Sequence, residues 1–253
     1  MLLIVGFVGA AVLRGRATKP ASVDEAVERF RTDGTEPDTR ARGRPDAGVY
    51  TYSGSGSEKL SFLAADKPIG PKLPATVTYA GDDCWTFRIE FNDSHWQSWD
   101  SCLHDGTVTN PSGDVFQKYE FLVADYTTSV HFSCDEPADI VRAAMQPGDA
   151  WTRTCRFTSS SVGESVGTGP LTYKGTEMVT IGGAEVATYH IRESRSQSGS
   201  QTGTNTYDTW YSVDNALPVK ARWEMQTESE SPVGTVTYTE RGEWLLDDLT
   251  PRT

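Results

Sequence analysis

Apolar and polar residues alternate along most of the chain from residue 48 to the C-terminus. The pattern is clearest at 219–226, where the alternation holds over eight positions. A period of two predicts β-strands that bury one face and expose the other to water. Such strands pair in antiparallel sheets. We therefore expect an all-β fold of antiparallel sheets, forming a sandwich or a half-barrel.

Turn signals divide this region into short strands. Gly182 and Gly183 separate two strand-like runs, and glycine readily adopts the positive φ that a two-residue hairpin turn requires. This turn sets a register in which Val179 faces Val186. The same reasoning predicts further strands at 48–53, 57–64, 75–80, 84–91, 95–103, 115–123, 127–134, 150–158, 171–181, 184–193, 206–213 and 233–240.

Two segments carry helical signals. Ser22 and Glu25 have the spacing of a capping box. The apolar residues around them share one helical face: Val23, Ala26, Val27 and Phe30. We expect this helix to pack on its own domain, the alternative being a partner-binding helix. A second short helix is predicted at 137–145, since Asp135 can cap it and Pro137 suits its first turn.

Two other stretches lack any apolar stripe. Residues 33–47 predict a polar linker. Residues 194–206 contain no apolar side chain and predict a mobile tip between two strands.

The first 13 residues are apolar and are followed by basic side chains at Arg14, Arg16 and Lys19. This length suits a signal segment or part of a longer membrane anchor. The basic flank alone would keep the domain in the cytoplasm, but long domains cross a membrane largely regardless of flanking charge. The cysteine pattern favours export. We expect a single-pass anchor with the C-terminal domain outside the cell membrane, or alternatively a secreted protein.

These patterns divide the chain into three parts. They are an anchor or signal segment at 1–13, the helix and linker at 14–47, and an antiparallel β domain at 48–253. Similar aromatic and threonine patterns recur in the same order in both halves of the β domain. The domain is therefore a candidate for two related β-units, at about 48–134 and 150–253.

The four cysteines fit two disulfide bonds. A hairpin whose three-residue loop is 92–94 pairs Phe87 with Trp99 and places Cys84 directly opposite Cys102. Cys134 and Cys155 flank the second predicted helix, and a local bridge is their simplest pairing. An even number of cysteines in an exported chain favours disulfides over free thiols.

The net charge limits the classes of partner that the β domain can bind. The formal net charge is −12, and residues 45–253 alone carry −14. Nucleic acids and anionic membranes are bound through lysine and arginine, so this β domain is poorly suited to either. The membrane is therefore expected to contact the protein through its N-terminal segment only.

No catalytic, metal-binding or cofactor-binding residue is predicted. One segment matches the G-x-S-x-G pattern of a serine-hydrolase elbow: Gly163-Glu164-Ser165-Val166-Gly167. No helix can follow this segment, so we interpret it as a connecting loop. The histidines lack zinc-ligand spacing and are interpreted as ordinary strand residues: His95, His104, His131 and His190. Adjacent acidic pairs point to opposite faces of a strand and do not supply facing carboxylates.

Aromatic residues are the remaining candidates for ligand contact. Seven tryptophans are many for 253 residues, and aromatic rings on a sheet face can bind sugars, lipids or peptides. The alternative is that most of them fill the core. The proposed ligand-binding residues are Trp96, Trp99, Tyr207 and Trp210.

Four segments carry a resemblance to known proteins: 22–26, 48–52, 84–102 and 210–220. Together they resemble uncharacterised, single-anchor envelope proteins of actinobacteria. The W-Y…L-P-V-K segment, residues 210–220, is also similar to strands of LolA-like lipoprotein carriers, which implies a curved sheet with an apolar concave face.

The sequence therefore predicts a non-catalytic envelope domain that binds an unknown small molecule, lipid or protein. One alternative is a LolA-like carrier of a lipid or other apolar ligand. A second alternative is a hydrolase acting on the cell wall, which would need two converging carboxylates in an open cleft.

Overall fold

The computed structural model describes residues 18–33, 43–63, 66–120, 125–231 and 234–253. Within these ranges the chain forms one helix, α1 (Val23–Thr32), and fourteen strands. The strands are β1 (Gly48–Leu60), β2 (Lys67–Ile69), β3 (Lys72–Tyr79), β4 (Cys84–Asn92), β5 (His95–His104), β6 (Thr107–Glu120), β7 (Asp125–Cys134), β8 (Asp139–Val141), β9 (Ala150–Ser159), β10 (Gly163–Ile181), β11 (Ala184–Gly199), β12 (Gln201–Ser212), β13 (Pro218–Ser231) and β14 (Gly234–Leu246).

The strands form one antiparallel sheet that closes on itself. Neighbouring strands follow chain order from β3 to β14, except that β7 pairs directly with β9. The ring closes where β1 pairs with β14, from Tyr52 opposite Leu246 to Leu60 opposite Tyr238. The predicted all-β fold is confirmed, and its sheet is a barrel.

Two glycines explain why β1 is one long strand rather than the two predicted at 48–53 and 57–64. A Cβ on Gly54 would lie 2.9 Å from the Glu243 carbonyl oxygen, and one on Gly56 would collide with the Arg241 carbonyl oxygen. Glycine therefore allows the two backbones to approach closely at the closure, whereas the sequence pattern alone indicates a turn.

Side chains that point into the barrel build most of the core. The Tyr52 and Trp244 rings meet edge to face at 4.8 Å, and Phe87 lies 6.0 Å from Tyr52. The closing strands are therefore bound to each other by aromatic packing as well as by backbone hydrogen bonds.

The predicted amphipathic helix is confirmed and packs on its own domain. The Ser22 hydroxyl accepts a hydrogen bond from the Glu25 backbone N–H. Ala26, Val27 and Phe30 are buried against β1 and β3. Of the predicted linker, residues 34–42 lie outside the described part, and Ala47 is buried with the helix.

Both predicted disulfides are confirmed, Cys84–Cys102 and Cys134–Cys155. Phe87 faces Trp99 as expected. The hairpin turn itself is tighter than predicted, because Asn92 faces His95 and the register shifts between Glu90 and Asn92. The Asn92 side-chain oxygen stabilises this turn by accepting a hydrogen bond from the Ser94 N–H. The Gly182-Gly183 turn is also confirmed, with Val179 opposite Val186.

Two segments differ from their predictions. The predicted helix at 137–145 is wrong, because Ala138 and Ala144 have positive φ and the short β8 pairs with β6 instead. The predicted tip at 194–206 is also wrong, because it belongs to β11 and β12, which turn at Ser200. Its inward-facing side chains are polar and leave no apolar alternation in the sequence.

The predicted anchor at 1–13 lies outside the described residues. None of the helical segments in the described part is long and apolar enough to cross a membrane. The division of the β domain into two related units stays a prediction.

Replacing Gly56 with alanine should destabilise the barrel at its closure. The added methyl group collides with the β14 backbone, and overpacking of this kind costs about 1–3 kcal/mol. Urea unfolding at equilibrium measures the change. Ser55→Ala is the matched control, because Ser55 is exposed on the same strand and should change stability by less than about 0.5 kcal/mol. Equal midpoints for the two variants would contradict the close approach.

Candidate functional site

The barrel encloses a cavity of about 550 Å³. The lining includes Tyr126, Val162 and Glu230, which lie beside hairpin turns, so the cavity reaches that end of the barrel. Farther from these turns the lining is mainly apolar and includes Phe87, Trp99, Phe132, Leu171, Ile191 and Trp244. A volume and lining of this kind suit one small, largely apolar ligand.

Two of the four predicted ligand-binding residues line this cavity. Trp99 and Tyr207 point inward. Trp96 is three residues from Trp99 on β5, and Trp210 is three residues from Tyr207 on β12. Side chains an odd number of residues apart point to opposite faces of a strand, so Trp96 and Trp210 face outward. The prediction did not separate the two faces, since both carry aromatic side chains.

The outward-facing tryptophans have other partners. Trp96 stacks on Phe116 at 5.9 Å. Trp210 stacks on His190 at 4.1 Å, and His190 bridges two carboxylates, Glu177 and Asp208, at 2.8 Å each. Arg88 also lies over the Trp96 ring at 4.0 Å, and Lys220 lies over the Trp210 ring at 4.3 Å. Neither ring lines the cavity.

A buried cluster of charges lies in the barrel wall beside the cavity. Glu58 of β1 is directly opposite Glu240 of β14 on one side and Lys67 of β2 on the other. Lys67 Nζ lies 3.1 Å from Glu58 Oε1, and His95 Nδ1 lies 3.1 Å from Glu58 Oε2. The Gln117 amide also donates a hydrogen bond to Glu58, at 3.0 Å. Glu58 thus contacts Lys67, His95 and Gln117.

The pKa values of the two carboxyl groups in this cluster shift in opposite directions. Burial alone would raise the pKa of Glu58, but the charges and hydrogen bonds of His95 and Lys67 outweigh it and lower that pKa to about 2. Burial raises the pKa of Glu240, and the neighbouring charge of Glu58 raises it further. Burial opposes the charged form of His95, but Glu58 and Glu240 raise its pKa. Glu58 therefore ionises more readily than Glu240.

Glu58, His95 and Glu240 also have the donor atoms of a metal site, all within 4.8 Å of one another. Those atoms already have other partners, however. Lys67 pairs with Glu58, and Glu240 accepts hydrogen bonds from Trp223 Nε1 at 2.7 Å and from the Tyr238 hydroxyl at 2.5 Å. A cation would have to displace these donors and the lysine.

The same arrangement bears on the hydrolase alternative. Glu58 and Glu240 do converge, but the Glu58 side chain has no exposed surface. A glycosidase carboxylate must reach the substrate, so this pair is better suited to stabilising the wall. The interpretation of His95 as an ordinary strand residue missed this cluster, which forms only when the barrel closes. The hydrolase alternative stays a prediction.

A second polar wall faces the cavity and contains two arginines. Arg153 of β9 donates to the Asn110 carbonyl oxygen at 2.7 Å and to Asn110 Oδ1 at 2.5 Å. Glu193 Oε1 of β11 lies 3.8 Å from Arg153 Nη1 and 3.4 Å from Arg195 Nη1. Burial lowers the pKa of Arg153, and Arg195 lowers it further against the opposing effect of Glu193. One carboxylate is thus shared by two guanidinium groups.

Two glycines of β10 allow β9 and β11 side chains to meet across the strand between them. Gly167 and Gly169 occupy inward positions of β10, and Gly169 is directly opposite Arg153. A Cβ on Gly167 would lie 2.6 Å from Arg195 Cδ. Gly167 therefore leaves room for the Arg195 side chain, whereas a Cβ on Gly169 would collide with the Ser194 carbonyl oxygen of β11.

This placement corrects the interpretation of the Gly163–Gly167 motif as a connecting loop. The segment is part of β10, and Ser165 is a buried residue that accepts a hydrogen bond from the Gln197 amide at 2.8 Å. Glycines spaced two apart within a strand were the available signal for the polar wall. They indicate inward positions over which neighbouring side chains can pass.

No protein-family model and no curated protein matches this chain. Among solved structures, the hypothetical lipoprotein YmcC from Escherichia coli (K12) is similar in shape, with 12% identity and a TM-score of 0.37. The alignment covers 85% of this chain and 95% of that chain. A likeness this distant assigns neither function nor location, and the resemblances to actinobacterial envelope proteins and to LolA-like carriers stay predictions.

Replacing Glu58 with glutamine should destabilise the barrel in a pH-dependent way. The pKa of Glu58 is about 2 in the folded state and 4.5 unperturbed, so its ionisation stabilises the fold above pH 4.5. That contribution disappears as the pH falls from 4.5 toward 2. Breaking a buried ion pair costs about 3–5 kcal/mol. We therefore expect the variant to have a free energy of unfolding lower than that of wild type by this amount at pH 7, and by a smaller amount at pH 3. Urea unfolding at both pH values measures it.

Glu240→Gln is the matched control on the facing strand. The raised pKa of Glu240 means that wild-type protein loses stability from this group as the pH rises above 4.5. The substitution imitates the protonated carboxyl, so it should cost less than Glu58→Gln at pH 7. The difference in free energy of unfolding between Glu240→Gln and wild type should decrease as the pH rises. Parallel pH trends for the two variants would contradict the opposite pKa shifts.

Proposed function

We propose that this protein is a non-catalytic binding protein that acts outside the cytoplasm and encloses one small, largely apolar ligand in its barrel. The cavity is the observation that carries the proposal. Its volume of about 550 Å³ falls within the usual range for ligand sites, and aromatic and aliphatic side chains dominate its deeper part. Aromatic rings give a ligand a large contact area at little entropic cost.

The two disulfides support the location. Both cysteine pairs join adjacent strands and leave no free cysteine among the described residues. Disulfides persist in oxidising compartments and are rare in the cytosol. They support an envelope or secreted location independently of the N-terminal segment.

A carrier of lipid or another apolar ligand is a second candidate function. Leu60, Tyr126 and Val236 line the cavity near its turn end, and Tyr126 is 39% exposed. These apolar residues stand among polar ones such as Ser161 and Ser229, and an apolar ligand that enters or leaves at this end would contact them. Mass spectrometry of organic extracts from the purified protein tests the idea, and protein isolated without any bound lipid would count against it.

Filling the cavity should abolish ligand binding without unfolding the barrel. Val130 lines the cavity, so Val130→Trp places an indole in the space that a ligand would occupy. The uncharged dye N-phenyl-1-naphthylamine fluoresces on entering apolar sites and serves as the probe. We expect saturable fluorescence with the wild-type protein and at least about a tenfold loss of affinity in the variant.

Thr127→Trp is the control for this experiment. Thr127 is exposed on the same strand and faces away from the cavity, so the added tryptophan should leave dye affinity unchanged. Circular dichroism establishes that all three proteins are folded. Absence of dye binding by folded wild-type protein, or equal binding by Val130→Trp, would overturn the proposed function.

The proposed location predicts that the protein contains no reactive thiol in its host. Maleimide should label all four cysteines only after unfolding and reduction, as read by the mass shift of the intact protein. Extensive labelling under denaturing conditions before reduction would contradict an oxidising compartment.

A further inference from the structure

The charges on the two polar walls of the cavity are balanced differently. In the wall that contains Glu58, two carboxyl groups, those of Glu58 and Glu240, lie beside two basic side chains, Lys67 and His95. In the wall that contains Arg153, two guanidinium groups share the single carboxylate of Glu193. The second wall therefore carries one positive charge that has no carboxylate of its own.

The surplus charge is buried. The Arg153 and Arg195 side chains are only 6% and 10% exposed, yet both line the cavity. The Nε atoms of both arginines are buried without a hydrogen-bond partner among the described residues. Charged groups taken out of water are costly unless they are paired. A bound anion would supply the missing negative charge.

The remaining charged residue of the lining does not neutralise this wall. Glu230 lies beside the β13–β14 turn, at the rim, and accepts a hydrogen bond from the Thr235 hydroxyl at 2.8 Å. The protein as a whole is strongly acidic, with a net charge of −12. A buried surplus of positive charge in such a chain is a local feature of the cavity and not a general property of the protein.

We infer that the cavity binds an amphipathic ligand, with Arg153 and Arg195 contacting its anionic head group and the apolar part of the cavity surrounding its tail. The planar guanidinium group presents paired donors that match a carboxylate or a phosphate monoester. Phe132, Leu171 and Ile191 are apolar residues of the cavity lining and suit a hydrocarbon chain, and Leu171 is directly opposite Glu193. This inference rests on the proposed function and specifies the chemical class of its ligand.

Displacement of N-phenyl-1-naphthylamine by ten-carbon amphiphiles tests the inference at pH 8. The competitors are decanoate, decyl phosphate, neutral decanol and cationic decyltrimethylammonium. We expect at least one of the two anions to bind wild-type protein about tenfold or more tightly than decanol, as charge-assisted hydrogen bonds would give. The cation should bind more weakly than decanol. The ranking of decanoate against decyl phosphate identifies the preferred head group.

Arg195→Gln should remove this preference, so that the variant binds the anions no more tightly than it binds decanol. Arg192→Gln is the matched control, because Arg192 lies on β11 three residues away, faces outward and is 50% exposed. It should keep the preference. Arg195→Lys retains the charge without the planar donor pair and should keep only part of the preference, which provides a second variant if Arg195→Gln does not fold.

The possible results separate the inference from the proposed function. Equal binding of decanol and both anions to wild-type protein, with the dye still bound, would overturn the inference and leave the proposed function standing. Retention of the full preference by folded Arg195→Gln would also overturn it. If neither the dye nor any amphiphile binds, the proposed function fails and the inference fails with it.

Discussion

The pairing of β1 with β14 is the constraint on which the rest of the structure depends. It converts a long antiparallel sheet into a closed ring, and so it separates an inner face from an outer face. Closure requires the two backbones to approach at Gly54 and Gly56, where any side chain would strike the facing strand. It also places Glu58 directly opposite Glu240. The cavity and the buried carboxyl pair are both consequences of this one pairing.

Closure also determines what a buried charge can do. An open sheet lets a polar side chain reach water, whereas the inside of a barrel offers only other side chains and whatever enters the cavity. Glu58 finds Lys67 and His95 within 3.1 Å. Arg153 and Arg195 share the single carboxylate of Glu193. The first arrangement is complete within the chain, and the second can be completed by a bound anion.

Much of the strand pattern could be predicted from the sequence wherever inward-facing residues are apolar. The alternation at 219–226 and the register that pairs Cys84 with Cys102 both follow from a period of two, and both are confirmed. The prediction failed where the interior is polar. Residues 194–206 form strands, but Arg195 and Gln197 face the cavity in place of apolar side chains. Hydrophobic periodicity detects a packed core, so it cannot detect a strand that lines a polar cavity wall.

The candidate site could be predicted only in part, for a related reason. Trp99 and Tyr207 line the cavity, but no sequence pattern indicates which face of each strand points inward, and ligand binding by these residues stays a prediction. The polar wall was harder still to predict, because Arg153 and Arg195 belong to different strands and only the fold brings both to the carboxylate of Glu193. A cavity is space that side chains leave unfilled, and its chemistry depends on pairs that closure brings together. Gly167 of β10 is therefore as much a part of the proposed binding site as the arginines, because a larger inward residue there would take the space that the Arg195 side chain occupies.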